Sequence, residues 1–264
     1  MSSFKSFASI YKKDLVAGKR RIGLMLILLG ILFVYLNYKM HTWTEPGLAL
    51  PFAIIPLAVL PWGVVVLGFL TLRSEWAENT HYLLMSIPFH RGLFVGAKFL
   101  AVITEFIILT AVAAAGAFWV LNSYASLDPR FWAGLEPYIQ AMGGRNQFIW
   151  QVFSLGLKFY VLYVLSMAFM LATIFAAYLA GKTVHRYGWL VTGTVFLGVL
   201  YLPSPIHNWL LFAFGPIEVE LTNSSLLLPA PYQQVDVSSF VATSIVALLA
   251  LVASLVLAER YVEV

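Results

Sequence analysis

The sequence predicts an all-α membrane protein with six transmembrane helices, a cytoplasmic amphipathic N-terminal helix and a short re-entrant-like outer segment before the last span. Three observations lead to this prediction. Of the 264 residues, 61% are apolar and only 11% are charged, against the roughly 25% charged that is typical of soluble domains. Six apolar runs approach or exceed the length that a bilayer requires. Lys and Arg are concentrated in alternate connecting segments.

The six apolar runs define the predicted spans. A hydrocarbon core of about 30 Å needs about 20 helical residues, so the first and fifth runs would rely on flanking residues to reach the interface. No small-x-small cleavage site follows the first run, which is therefore interpreted as a retained span. Residues 1–21 form the predicted N-terminal helix, and residues 22–264 form the transmembrane domain. The runs are Ile22–Tyr38, Leu48–Leu72, Phe99–Leu121, Phe159–Ala180, Tyr187–Leu202 and Val237–Ala258.

The distribution of basic residues predicts the orientation. Twelve of the 16 Lys and Arg residues lie in residues 1–21, 73–98 and 181–186 or at Arg260. Because cytoplasmic segments of membrane proteins carry the excess of Lys and Arg, both termini and the loop at 73–98 are predicted to be cytoplasmic. The net charge of +4 fits this topology better than a nucleic-acid partner. We expect a multi-pass protein of the cell membrane.

The N-terminal segment has the pattern of an amphipathic helix. Ser3 is a plausible start and Gly18 a plausible end. A basic helix with an aromatic face is expected to lie flat in the headgroup region, in contact with membrane lipid. Whether it only anchors the chain or also transmits motion stays open. The face consists of Phe4, Phe7, Ala8, Tyr11 and Leu15, and Lys5, Lys12 and Lys13 lie away from it.

Two outer loops follow the third and fifth spans. In the first, residues 122–148, a helix is predicted from Asp128–Pro129 to Gly143–Gly144, and Pro137 should kink or split it. An interfacial helix is the preferred interpretation, and a substrate gate is the alternative. In the second, residues 203–236, the apolar pieces are too short to cross, so they are expected to dip into the outer leaflet and return.

No catalytic or metal site is predicted. The sequence contains no Gly-x-x-x-x-Gly-Lys-Ser/Thr phosphate loop, no His-Glu-x-x-His pair and no Gly-x-Ser-x-Gly elbow. Its five histidines are scattered without ligand spacing, and the absence of cysteine excludes disulfides and thiol chemistry. Glu75 and Glu78 could mimic the paired carboxylates of a membrane hydrolase, but no His is placed to share a site with them.

Within the spans, Glu105 is the clearly ionisable residue. A charge inside a membrane is costly and is a functional candidate by default. Glu105 follows Lys98 by seven residues and falls on roughly the same helical face. A structural pair near the interface and a proton or substrate site are both compatible with this position.

Two spans carry features that suit a pathway wall. Span two has Pro51, Pro56 and Pro61, and each interior proline frees a backbone carbonyl and bends the helix. Span five has small and hydroxyl residues, which permit close helix packing. Close packing is the first interpretation of span five, and pathway lining comes second. The candidate pathway residues are Pro56, Pro61, Trp62, Thr192 and Thr194.

The loop from Arg73 to Lys98 predicts a short cytoplasmic helix that meets another protein. Ser74 can cap its start, and Pro88 ends the amphipathic stripe. Trp76, Leu83, Leu84 and Ile87 form that stripe, and Glu75 and Glu78 are expected to be exposed.

The same residues, "EWAENTHYLLMSIPFHRGLFVGAK", resemble the loop before the third span of the type-2 ABC exporter permeases. That family's pattern reads approximately Glu-Arg-Glu-x-Gly-Thr-x-Glu-x-Leu-Leu-x-x-x-Pro-x-Ser-Arg, with Gly-Lys a few residues later. The sequence departs from it at Ala77, Asn79, His90 and Ala97, and Glu78 can replace the second acid. Glu75, Thr80, Leu83, Leu84, Pro88, Arg91 and Lys98 are in register.

The resemblance implies a permease subunit without catalysis of its own. In that family the N-terminal helix and this loop contact a separate ATPase subunit, which binds ATP and Mg, and the loop is the coupling element. Two permease chains, identical or closely related, form the pathway. The aromatic-rich spans favour an amphipathic substrate such as a peptide, an antibiotic or a lipid. The alternatives are a polytopic membrane enzyme acting on lipid or peptide and a non-transporting membrane scaffold or sensor.

Overall fold

The computed structural model describes residues 3–77, 91–184, 186–220 and 234–260, and its elements are mostly helical. In chain order they are α1 (Ser3–Met40), a 3-10 turn (Pro46–Leu48), α2 (Ala49–Ala77), α3 (Arg91–Leu127), α4 (Pro129–Ala141), α5 (Arg145–Lys182), α6 (Gly188–Tyr201), α7 (Pro203–Phe214), β1 (Glu218–Glu220), β2 (Gln234–Asp236) and α8 (Ser238–Arg260).

Six helical segments of the described residues are long and apolar enough to cross a membrane, and each overlaps one predicted run. The predicted multi-span helical architecture is therefore confirmed. Helices α1, α3 and α5 have 38, 37 and 38 residues, so each is about 55 Å long and exceeds the bilayer core by well over a third. The segments are Phe7–Met40, Pro46–Ser74, Gly92–Leu127, Arg145–Lys182, Gly188–Phe214 and Ser238–Glu259.

The predicted end of the N-terminal helix at Gly18 is wrong. Helix α1 runs without interruption from Ser3 to Met40, so the amphipathic segment and the first span are one rod. A single glycine weakens a helix by only about 1 kcal/mol relative to alanine, and the basic residues that follow it are good helix formers. Gly18 serves a tertiary contact instead, which is described below.

Helix α4, in the connection after the third span, begins as predicted. The Asp128 side chain accepts a hydrogen bond from the Arg130 backbone N–H at 2.9 Å, which satisfies a free donor of the first turn. After its last turn, Gly143 and Gly144 adopt φ angles of 86° and 111°. The helix does not split at Pro137, which lies inside one continuous element.

The predicted re-entrant arrangement is not confirmed. The apolar piece Trp209–Phe214 belongs to α7, which follows α6 after the single residue Leu202. Together α6 and α7 supply the length that the fifth run lacks. The other apolar piece, Leu226–Leu228, lies outside the described residues.

Buried apolar side chains form two clusters. The four-helix cluster joins α2, α3, α5 and α8, and its largest fully buried side chains are Phe106 and Phe175. The three-helix cluster joins α1, α2 and α3 and includes Phe33 and Met40. Helices α2 and α3 contribute to both clusters: one half of each helix belongs to the four-helix cluster and the other half to the three-helix cluster.

A short hairpin precedes the last helix. Strands β1 and β2 are antiparallel, with Glu218 opposite Asp236. Asp236 accepts hydrogen bonds from the Ser238 hydroxyl at 2.5 Å and from the Ser238 backbone N–H at 2.8 Å. These two bonds, the hydroxyl first, hold the pKa of the exposed Asp236 below its ordinary value and fix the start of α8.

Candidate functional site

A charged seam runs between α1 and α3, and we define it by Asp14, Arg21, Lys98 and Glu105. The first of its two ion pairs joins the Arg21 Nη2 atom to the Glu105 Oε2 atom, at 2.5 Å. The Glu105 side chain is 4% exposed, whereas the Arg21 side chain is 38% exposed. The carboxylate is therefore enclosed by protein, and the guanidinium connects it to the surface.

Gly18 allows this ion pair to form. A Cβ atom at Gly18 would clash with the Glu105 Oε1 atom. That carboxylate is held by Arg21, so it cannot swing away without losing its partner. The close approach of α3 to the backbone of α1 explains a glycine in the middle of a long helix.

A second ion pair lies seven residues before the first on both helices. The Lys98 Nζ atom is 3.6 Å from the Asp14 Oδ1 atom and 4.8 Å from the centre of the Phe94 ring. Both side chains are largely buried, at 4% and 14% exposure. Lys98 and Glu105, which share a face of α3, each pair with a residue of opposite charge on α1.

The aromatic face of the N-terminal segment contacts protein. Tyr11 and Thr104 share a hydrogen bond of 2.9 Å, and since Thr104 donates to the Leu100 carbonyl, Tyr11 is the donor. The Phe7 ring lies 3.7 Å from the position that a Cβ of Gly96 would occupy. At Phe7 and Tyr11 the face therefore packs on α3, which corrects the expectation that it faces lipid. The side chain of Phe4 lies outside the described residues, and Lys12 and Lys13 are exposed.

Helices α1 and α3 run parallel, because the partner numbers on the two helices increase together along most of their length. They differ by 84 at Asp14–Lys98 and Arg21–Glu105, by 86 at the bond from Asn37 to Ser123 and by 93 at Tyr11–Thr104. The first and third spans thus cross in the same direction, as a six-span topology requires.

The length of both helices bears on the two interpretations of Glu105. Beyond the ion pair, residues 22–40 of α1 rise about 28 Å and residues 106–127 of α3 about 33 Å. Each length is close to the bilayer core of about 30 Å. The pair can therefore lie at a membrane boundary, which favours the structural interpretation of Glu105 over a proton or substrate site.

A second polar group lies between α2, α3 and α5. The Tyr163 hydroxyl of α5 donates to the Leu57 carbonyl of α2 at 2.6 Å. This carbonyl is the one that Pro61, four residues later, leaves without its helical partner. The neighbouring Tyr160 hydroxyl lies 2.9 Å from the Thr110 hydroxyl of α3, which itself donates to a backbone carbonyl.

The candidate pathway residues differ in burial and do not share one environment. Pro56 is buried and Pro61 is half-buried inside α2, whereas Trp62 is 71% exposed. Thr192 donates its hydroxyl to the Gly188 carbonyl of its own helix at 2.9 Å, and Thr194 is exposed.

Close packing of the fifth span occurs at one of its three glycines. The backbones of Gly188 and Gly181 meet so closely that neither position has room for a Cβ atom. At Gly193 and Gly198 a Cβ would meet no described atom within 4 Å. Gly193 and Gly198 are exposed and lie at the two edges of an open face of α6, with Thr194 and Leu197 between them. No residue of this helix is buried.

The predicted coupling residues lie at the margin of the described chain. Glu75 and Trp76 end α2 and Arg91 begins α3, but their side chains are not described, and Lys98 belongs to the seam. The loop positions Glu78, Thr80, Leu83, Leu84 and Pro88 lie outside the described residues.

Sequence reasoning missed Asp14, Arg21 and Tyr163 as site residues. A signal existed for Asp14, which is the only acid before Glu45 and lies on the face of Phe7, Tyr11 and Gly18. No local signal marks Tyr163, because its acceptor is 106 residues away.

The described residues contain no group of three or more His, Cys, Asp or Glu that could hold a metal ion. Comparison of the chain with family models, with curated proteins and with solved structures finds no match.

Proposed function

We propose that the chain is the transmembrane permease subunit of an ATP-driven exporter for an amphipathic substrate, and that a separate ATPase subunit hydrolyses ATP. The observation that carries this proposal is the resemblance of the segment from Glu75 to Lys98 to the coupling loop of type-2 ABC exporter permeases. The distribution of basic residues supports the proposal, because it predicts that the loop and both termini are cytoplasmic.

The surroundings of the loop support this role. The last turns of α2 and the first turns of α3 enter the same four-helix cluster through Leu72, Phe94 and Val95, each at most 7% exposed. Lys98, at the end of the resembling segment, is fixed to α1 by the seam. A force applied to the loop would therefore act on three helices at once.

Copurification tests the proposal. A tagged chain is purified from cells in which it is native, and bound proteins are identified; an ATPase subunit is expected. Glu75→Lys with Glu78→Lys should weaken this binding, because the two acids are expected to be exposed toward the partner. The matched control, Glu136→Lys with Glu218→Lys, makes the same charge change at two exposed positions outside the loop.

Unchanged recovery of the ATPase with the loop variant would contradict the coupling role. Recovery of the chain without any ATPase, together with turnover of lipid or peptide by the chain alone, would favour a membrane enzyme instead. Stimulation of ATP hydrolysis by one amphipathic compound, in the purified complex only, would identify the substrate class.

We also propose that two permease chains pair in the membrane. The open face of α6, at Gly193 and Gly198, supports this, because small residues permit close approach of helices in membranes. The chain has no cysteine, so Gly193→Cys introduces a single cross-linking site. It should trap a dimer, whereas Leu28→Cys, at a position 65% exposed on α1, should not. Equal cross-linking at both positions would contradict the proposed interface.

A further inference from the structure

Helix α2 contains a break in its hydrogen-bond ladder that another helix repairs. Pro61 has no N–H, so the Leu57 carbonyl lacks its usual partner within the helix. The Tyr163 hydroxyl of α5 occupies this place at 2.6 Å. An unpaired carbonyl is costly in an apolar interior, so the bond favours the arrangement of α2 and α5 described here.

The break falls where the two apolar clusters meet. On α2, Ala49 and Ala53 belong to the three-helix cluster, Val64 and Leu72 belong to the four-helix cluster, and Leu60 packs against both. Each half of α2 is therefore held by a different set of helices. Pro61 is the next residue after the one that both clusters share.

Helix α3 changes cluster at the same level. Phe106 belongs to the four-helix cluster and Leu109 to the three-helix cluster. The Phe106 ring lies 5.3 Å from the Tyr163 ring, and the Tyr160 hydroxyl contacts Thr110 at 2.9 Å. Two tyrosine hydroxyls, a threonine hydroxyl and a freed carbonyl thus form a polar layer between the clusters.

We propose that α2 is a jointed helix, with Pro61 as the joint and the Tyr163 hydroxyl as the latch that holds it. In the described conformation the latch is closed on the Leu57 carbonyl. When the two halves of α2 change their angle, this hydrogen bond opens and the clusters move relative to each other. The inference concerns the conformation of the chain and does not depend on the proposed function.

Thermal unfolding of the purified full chain in lipid nanodiscs tests the latch. Tyr163→Phe should lower the unfolding midpoint by about 2–4 °C, the expected effect of one hydrogen bond in a chain of this size. In a Pro61→Ala background, the new N–H can bond the Leu57 carbonyl itself, so Tyr163→Phe should lower the midpoint by less than half as much. In a Pro56→Ala background the Leu57 carbonyl still has no partner within its helix, so Tyr163→Phe should lower the midpoint by the full amount.

Tyr160→Phe is the matched control for the tyrosine. Its hydroxyl bonds Thr110 and not a freed carbonyl, so its effect should be equal with Pro61 and with Pro61→Ala. An equal effect of Tyr163→Phe in the two backgrounds would overturn the proposal.

A distance measurement tests the joint in the folded state. Phe52→Cys and Leu70→Cys place spin labels on exposed positions of α2 on opposite sides of Pro61, and the chain has no native cysteine. Two label-to-label distances are expected, one for the closed latch and one for the opened joint. Tyr163→Phe should raise the population of the distance for the opened joint by roughly 2- to 10-fold. Pro61→Ala should leave one narrow distance. The same distribution in all three proteins would show that α2 has no joint at Pro61.

Discussion

The ion pair between Arg21 and Glu105 should stabilise the packing of α1 on α3. Breaking a fully buried pair by removing one partner costs about 3–5 kcal/mol. Here the Arg21 side chain is 38% exposed, so solvent screens part of the effect, and we expect about 2 kcal/mol for Arg21→Met. Replacing both residues, by Arg21→Met with Glu105→Leu, leaves no buried charge and should cost only about 0–1 kcal/mol.

The assay is thermal unfolding in lipid nanodiscs. One kcal/mol corresponds to about 2–4 °C in a chain of this size, so Arg21→Met should lower the midpoint by about 4–8 °C. Salt should reduce this difference only in part, because the Glu105 side chain is buried although the Arg21 side chain is 38% exposed. Glu218→Gln removes one charge from an exposed strand and is the control, with an expected effect within about 0.5 kcal/mol.

The reasoning predicts strong non-additivity between the two positions. A double variant that loses as much stability as the sum of the two single variants would show that the side chains do not interact. If Arg21→Met lowers the unfolding midpoint no more than Glu218→Gln does, the carboxylate of Glu105 is not buried as a charge.

Three further predictions concern the seam and the hairpin. Gly18→Ala should lower the free energy of unfolding by about 1–3 kcal/mol, because it displaces the Glu105 carboxylate. In a Glu105→Ala background the same change should lower the unfolding midpoint by less. Phe7→Ser should reduce the amount of folded chain in size-exclusion chromatography, because this ring packs on α3 at Gly96. Asp236→Asn should destabilise the protein at pH 7, and by progressively less as the pH is lowered below the unfolded pKa. The folded pKa of Asp236 is lowered by the Ser238 hydroxyl and then by its N–H, so its stabilisation is present above the unfolded pKa, near 4, and disappears as the pH falls through the folded pKa.

The spans and the outer helix could be predicted from sequence because their causes are local. A bilayer admits few structures other than helices, so apolar run length alone locates the spans, and Asp128–Pro129 carries its capping signal in adjacent residues. The presence of glycine at position 18 has a different cause. A Cβ there would clash with Glu105, which is 87 positions later in the sequence, and no local pattern distinguishes such a glycine from a helix end.

The pairing of charges shows the same limit. Lys98 and Glu105 share a face, and this pattern is compatible with a pair between them. In the structure α1 lies beside that face in a register that places Asp14 opposite Lys98 and Arg21 opposite Glu105. The single acid among the basic residues of the N-terminal segment was the available sign that a partner helix would be needed.

The seam and the latch together assign different mechanical roles to α2 and α3. Helices α1 and α3 are tied at Asp14–Lys98, Arg21–Glu105 and Asn37–Ser123, and a shift of one residue in register would break all three contacts. They should therefore move as one body. Helix α2 is held by two clusters and interrupted at Pro61, so its halves can change angle. Because the segment at residues 78–90 joins α2 to α3, we expect a displacement there to reach the far ends of α1 and α3 directly, but to pass along α2 only as far as the joint.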